Sequence, residues 1–319
     1  MILIISIEQD ESTIDIIRWL HHLGEKYILL NNNELIDNIS IDINTSDVYL
    51  TCSGIKINFK EIKSVWYRRG NFKIDNASIS GDFVSDKIND FLKKENNELY
   101  EYLHYLLNEK YTINNYNYKK VNKLIVLTMA RDLGLDIPET LITNSKTEVE
   151  TSLKKGDLIT KAIRNPINFY GDTYWLPNYT TVVDEKNTPG FNDIFGTSLF
   201  QKQIPKKIEI RSYMIEKELH SMAIFSQTDE QTIVDFRKYN NRKPNRNVPY
   251  QLPEEIGDKL KRLALQLNLN SCSFDLIYTP SKKYIFLEVN PIGQFGMVSY
   301  PCNYQLEKKI AQKLAQYDI

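Results

Sequence analysis

The stretch SFDLIYTPSKKYIFLEVNPIG, residues 273–293, decides how the rest of the chain is read. SFDLIY and YIFLEVN are rich in β-branched and aromatic residues and flank the polar turn Thr-Pro-Ser-Lys-Lys, so they predict a β-hairpin. Centring the turn on Ser281 and Lys282 sets Asp275 opposite Glu288, with Asn290 two residues on and so on the same face. Leu276, Leu287 and Val289 then point the other way, toward a core. Ser-Lys carries little turn preference of its own. Two facing carboxylates stand with their Cβ atoms about 5 Å apart and repel unless something neutralises them. Three oxygen donors without sulfur or imidazole suit a hard cation, and Mg²⁺ usually completes its shell with water and nucleotide phosphates. The same spacing also fits a solvated acidic face, or one acid neutralised by a lysine or by protonation.

Outward from this hairpin the pattern stays legible. IEIRSYMIEKELHSMAIFS, from residue 208, predicts a second hairpin, and SLFQKQI, from 198, a strand ahead of it. Residues 253–268 place Ile256, Leu260, Leu263, Ala264 and Leu267 at helical spacing, and a last helix is expected near 303–316. Upstream, strands are expected at about 157–163 and 180–183, with a loop at 164–179. A helix runs from 120 to Gly134, a residue suited to a helix end. Residues 110–119 read as a linker, and 83–109, without Gly or Pro, as one long helix. In the first 70 residues the runs MILIIS, KYILL, DVYLT and SVWYR, with a helix at 11–24, predict a small open α/β lobe. The expected division is therefore 1–115, 116–200 and 201–319.

Composition removes several functions. Of 319 residues, 42% are apolar and 25% charged, the ordinary range for a globular protein. No run approaches the roughly 18 apolar residues that would span a bilayer, so no membrane role is expected. The opening MILIISIEQDES has no basic region ahead of its apolar run, and reads as a buried strand rather than a signal peptide. Three cysteines (Cys52, Cys272, Cys302) and four histidines, with no Cys-x-x-Cys, argue against a disulfide framework or a structural zinc, and place the chain in a reducing cytoplasm. A net charge of −1 gives no basic field for nucleic acid, and the basic stretch YNNRKPNRN at 239–247 is short and isolated.

Glu-Val-Asn-Pro closing a strand, with Asp thirteen residues before the Glu, resembles the metal-binding end of ATP-grasp ligases. Other phrases follow in the family's order: Asn122–Lys123 opening a helix that leads to GLDIPET, Lys161 ending DLITKAI's strand, and FQKQIPKKIEIR. YRR at 67–69, DFR at 235–237, VPYQLP at 248–253 and FLEVNPIGQF narrow the resemblance to graspetide (microviridin-type) peptide maturases, and SYPCNYQLEKKIA to their grasp-with-spasm group. The resemblance covers about residues 120–300. It implies an ATP-grasp fold of α/β class: an N-terminal open α/β lobe, then central and C-terminal lobes clasping ATP.

The resemblance also implies roles. Lys123 and Lys161 would meet the nucleotide phosphates, for which a lysine ammonium is a suitable point charge. Gln201, Lys202, Gln203 and Ile204 would form the adenine hinge, read through Lys202 C=O and Ile204 N–H, and Glu209 would accept the ribose hydroxyls. Asp275, Glu288 and Asn290 would hold Mg²⁺, two ions being expected. Arg211 and Arg237 are the candidates for stabilising an acyl phosphate, and Arg68, Arg69 and Lys238 for binding substrate; surface solubility explains the first two equally well. A glycine-rich phosphate flap, common in the family, has no counterpart in RNPINFYGDTYW at 164–175. The implied activity is ATP-dependent joining of Asp or Glu side chains of a ribosomal precursor peptide (leader plus core) to Ser/Thr hydroxyls or Lys amines, by an enzyme expected to be a homodimer. An enzyme adding a free amino acid to a peptide, as glutamate ligases do, would share the same ATP site. A nucleotide-binding scaffold without catalysis would not need the full set of lysines and oxygen donors.

Overall fold

The computed structural model describes residues 1–74, 81, 83–164, 169–170, 175–176, 180–227 and 244–317. It has the mixed α/β architecture expected, in two compact units. One comprises 1–120, 268–272 and 291–319; the other comprises 121–267 and 273–290. The first unit thus combines the start of the chain with residues 291–319.

The first unit is built on a four-stranded parallel sheet in the order Tyr27–Asn31, Ile2–Ser6, Ser64–Tyr67, Tyr111–Ile113. Its central strand ILIIS is buried along its whole length, as a strand covered on both faces must be. The helix Glu11–Leu23 starts where Asp10 accepts the amide of Thr13, and stops at Gly24, whose φ of 77° suits a residue without Cβ. Two outcomes differ from expectation. YTI, within the supposed linker, is the fourth strand, and its Ile113 is buried. LIDNISID and IKIN are also strands; with Asp47–Cys52 and Lys73–Ile74 they make a second four-stranded sheet. The long helix runs Phe83–Asn108, and no described helix is long and apolar enough to cross a membrane.

The second unit carries a four-stranded and a five-stranded sheet, and a two-stranded pairing of Phe169–Tyr170 with Trp175–Leu176 within the stretch expected as a loop. The first orders Thr181–Val183, Leu158–Lys161, Ile194–Lys202 and Thr140–Ser145, and packs Leu158, Phe200 and Val183 against Val149 of the helix Lys146–Leu153. The strand Thr140–Ser145 and the helix after it join the elements expected. The other sheet orders Arg246–Tyr250, Glu218–Phe225, Ile208–Ile215, Ser271–Tyr278 and Tyr284–Asn290. The helix Lys123–Asp132 begins at Asn122, whose side chain accepts the amides of Leu124 and Ile125. Its trailing loop is tied to the hairpin where Phe286 N–H donates to Asp136 C=O at 2.8 Å.

Candidate active site

The hairpin pairs Asp275 with Glu288, and Ser273 with Asn290, the register that the spacing predicts. The turn that achieves this is different. Pro280–Lys282 form a three-residue loop in which Thr279 N–H donates to Lys283 C=O and Lys282 takes a φ of 65°. This geometry matches a type I turn followed by a left-handed residue. The loop shifts the pairing by one residue near the turn, so that Leu276 faces Phe286. A bulge between Asp275 and Leu276, opposite Leu287, shifts it back. Leu276, Phe286, Phe274 and Val289 are buried as a core face. The polar face keeps Asp275, Glu288 and Asn290 together.

Each acid on that face has a cationic neighbour. Arg211 Nη1 donates to both Asp275 oxygens, at 3.3 and 3.4 Å, and Lys123 Nζ lies 3.5 Å from Glu288 Oε2. Asn290 Nδ2 bridges the acids, 3.2 Å from Asp275 Oδ2 and 3.4 Å from Glu288 Oε1. Lys123 reaches this place because it is the first residue of its helix, and Arg211 because it alternates with Glu209 on one strand.

These distances are long for charge-assisted hydrogen bonds. The buried Nε of Arg211 and the buried Oγ of Ser273 have no hydrogen-bond partner. Turning the Asn290 amide over would present its Oδ1 beside the two carboxylates, a donor set that fits Mg²⁺. Among the described residues no group of three or more His, Cys, Asp or Glu could hold a metal, so a site here relies on water and ligand oxygens for the rest of its shell.

The other predicted residues fall as follows. Alternation puts Lys161 and Gln201 on one face of the first sheet of the unit, since Lys161 pairs with Leu199 and Ile159 with Gln201. Lys161 lines a cleft of about 360 Å³ with Thr160, Thr181, Thr197 and Ser198. Gln201 is buried; its Nε2 donates to Thr140 Oγ1 at 2.9 Å, and its Oε1 has no partner. Lys202 instead lies with Gly156, Lys155 and Glu139 in a separate hollow of about 120 Å³. The N–H groups of Lys202 and Gln203 are committed to Glu139 C=O (3.0 Å) and Asp157 C=O (2.9 Å), which anchors the segment leading to Ile204.

Glu209 is buried and its Oε1 is held by two donors, Lys206 Nζ at 2.8 Å and Ser226 Oγ at 2.7 Å. Neither donor was singled out from the sequence. Lys206 stands three residues before Glu209, but nothing in the pair Lys206–Lys207 tells which lysine turns inward. Arg237 and Lys238 lie outside the described residues, as does most of RNPINFYGDTYW.

In the first unit, Arg68 has partners other than solvent. It is 2% exposed; its Nε meets both Asp10 oxygens at 3.2 and 3.3 Å, and its Nη1 donates to Gly293 C=O at 3.0 Å. Arg68 is thus enclosed, which removes the surface-solubility reading of it. Arg69, its side chain 36% exposed, stands 3.7 Å from Asp10.

Comparison with known proteins follows the same lines. Residues 1–119 match the family model of the MvdD pre-ATP grasp domain. No curated protein matches the chain. The chain superposes on a Chryseobacterium gregarium RiPP-associated ATP-grasp ligase, solved with ADP and a leader and core peptide. The TM-score is 0.84 at 22% identity, covering 99% of this chain and 96% of that one. It is also similar to the macrocyclase MdnC of Microcystis aeruginosa, bound with precursor peptide MdnA, at TM-score 0.79 and 24% identity over 99% of both chains. A more distant similarity is to D-alanyl-alanine synthetase A of Vibrio cholerae, at TM-score 0.57 and 12% identity over 100% of this chain and 98% of that one. The chain thus has the ATP-grasp fold, and its residues 1–119 match the model of the MvdD pre-ATP grasp domain.

Proposed function

We propose that this protein is an ADP-forming ligase that activates Asp or Glu side chains of a ribosomal precursor peptide and joins them to Ser/Thr hydroxyls or Lys amines, closing rings. The observation that carries this reading is the pairing of Asp275 with Glu288 beside Asn290, flanked by Lys123 and Arg211. The fold's similarity to ligases solved with ADP and with leader and core peptide supports the same reading.

Phosphoryl transfer needs positioning and charge neutralisation more than covalent help from the protein. In the first step a substrate carboxylate oxygen attacks the γ-phosphorus of ATP; the bond to the β-phosphate oxygen breaks and ADP leaves. In the second, a hydroxyl or amine attacks the acyl carbon, loses its proton and expels phosphate. Asp275, Glu288 and Asn290 would hold two Mg²⁺ ions, which supply charge neutralisation at the β- and γ-phosphates. Lys123 and Lys161 would meet phosphate oxygens, and Lys202 C=O and Ile204 N–H the adenine. Arg211, 3.3 Å from Asp275, would neutralise the acyl phosphate, with Arg237 as its expected companion. The homodimer implied by the family resemblance belongs to this proposal and is checked by sedimentation.

Mass spectrometry of a Ser/Thr- and Asp/Glu-rich precursor peptide, incubated with the protein, ATP and Mg²⁺, tests the reading. Ring closure removes the mass of one water per linkage. A gain of one amino-acid residue would instead identify a glutamate-ligase-like enzyme. Unchanged peptide with no ADP formed would sink the ligase assignment.

A further inference from the structure

Lys206 lies in the short segment between the hinge strand and the strand that carries Glu209, and both ends of that segment are pinned. Gln203 N–H donates to Asp157 C=O, and Lys207 N–H to Tyr278 C=O, each at 2.9 Å. Within it the Lys206 side chain, 8% exposed, turns inward to Glu209, itself 10% exposed. A buried lysine and a buried glutamate each cost several kcal/mol to desolvate, so the pair persists only where geometry and further hydrogen bonds compensate. A further hydrogen bond is present. Ser226, just past the end of the neighbouring strand, is fully buried and donates to the same Oε1, and its own Oγ accepts from Gln227 Nε2 at 3.2 Å.

Two donors converging on Oε1 select which of the two carboxylate oxygens the protein holds. With Oε1 taken, Oε2 is the oxygen left to accept from a ligand. We propose that Lys206, with Ser226, is a positioning residue for nucleotide recognition: together they hold Oε1 of Glu209 and turn Oε2 toward the ribose hydroxyls. This rests on the ATP-binding reading above. It adds a coupling which that reading does not contain. Because Lys206 belongs to the same pinned segment as Ile204, a shift of the adenine hinge moves the donor that aims the ribose acceptor.

The test is a cycle between residue and ligand, read as dissociation constants by calorimetry on the full chain. The ligands are ADP and 2′,3′-dideoxyadenosine diphosphate; the proteins are wild type, Lys206→Met, Lys206→Arg, Ser226→Ala and Glu209→Gln. Wild type is expected to prefer ADP by about tenfold or more, the worth of a hydrogen bond to a charged group. Lys206→Met should weaken ADP by about tenfold and leave the dideoxy ligand within about twofold, with Lys206→Arg recovering most of the loss and Ser226→Ala showing a smaller version of it. Equal weakening of both ligands by Lys206→Met, or none, would overturn the proposal even where wild type prefers ADP and Glu209→Gln loses that preference. If Lys206→Met fails to fold, Ser226→Ala decides on the same ribose-selective criterion. Failure of wild type to bind either ligand would instead remove the nucleotide reading, and this proposal with it.

Discussion

Two arginine–aspartate pairs of nearly equal length stand in the two units: Arg68–Asp10 at 3.2 Å and Arg211–Asp275 at 3.3 Å. They differ in what surrounds them. Around Arg68 the donors are in use: Nε on both Asp10 oxygens, Nη1 on Gly293 C=O and Nη2 on Ser12 Oγ at 3.3 Å, with the guanidinium carbon 5.8 Å from the centre of the Phe295 ring. Asp10 in turn accepts the amide of Thr13 and caps a helix. Around Arg211, Nε is buried without a partner, and an amide nitrogen is shared between two acids that face each other. Saturation marks a structural ion pair, and partial saturation a place shaped for something else.

That contrast is open to direct attack, and the largest expected effect lies at Glu288, which faces Asp275 of the second pair. Glu288→Gln should reduce ATP-dependent peptide modification on the order of a thousandfold, because it removes charge at the metal position while keeping shape. The melting temperature should stay close to wild type, since relieving two facing carboxylates costs the fold little. A retained rate, measured by ADP release and peptide mass, would break the comparison at its functional end. Arg68→Ala should do the reverse. It leaves Asp10 buried without its main counter-charge and is expected to destabilise the first unit by about 3–5 kcal/mol, seen in denaturant unfolding. Arg69→Ala, whose side chain is the more exposed of the two, is expected to cost no more than about 1 kcal/mol by the same measurement. Equal losses from the two arginines would show that burial does not separate their roles.

The hairpin shows how a pairing can be legible while its cause is not. Facing Asp275 and Glu288 follows from the sequence with a two-residue turn, yet the chain uses a three-residue loop and then a bulge at Leu287. The two displacements cancel at the acids. Charge and core patterning constrain where Asp275 and Glu288 must sit, because a slip of one residue would bury them. Nothing constrains the turn as strongly. Tyr111–Ile113 escaped notice for a related reason: a three-residue strand at a sheet edge has too little alternation to stand out among asparagines and tyrosines. LIDNISID also lacks a steady apolar face, and its burial is irregular. In the triplet Tyr67-Arg68-Arg69 the residue types are visible, but only tertiary packing decides that one arginine is enclosed and its neighbour is not.

The smallest effect expected is at the far end of the same hairpin, and its direction is informative. Lys282 holds a φ of 65°, a left-handed conformation that costs a residue with a Cβ about 1 kcal/mol and a glycine almost nothing. Glycine also has more freedom to lose on folding, which returns part of that gain. Lys282→Gly should therefore stabilise the protein by at most about 1 kcal/mol, measured by denaturant unfolding of the full chain. Because the bulge at Leu287 lies between the loop and the acids, the register at Asp275 and Glu288 should be untouched, and peptide modification should proceed at the wild-type rate. A loss of activity together with a gain in stability would mean that the loop's strain is transmitted through the bulge to the acidic face. The partial saturation there would then be a property of the whole hairpin rather than of the residues that line it.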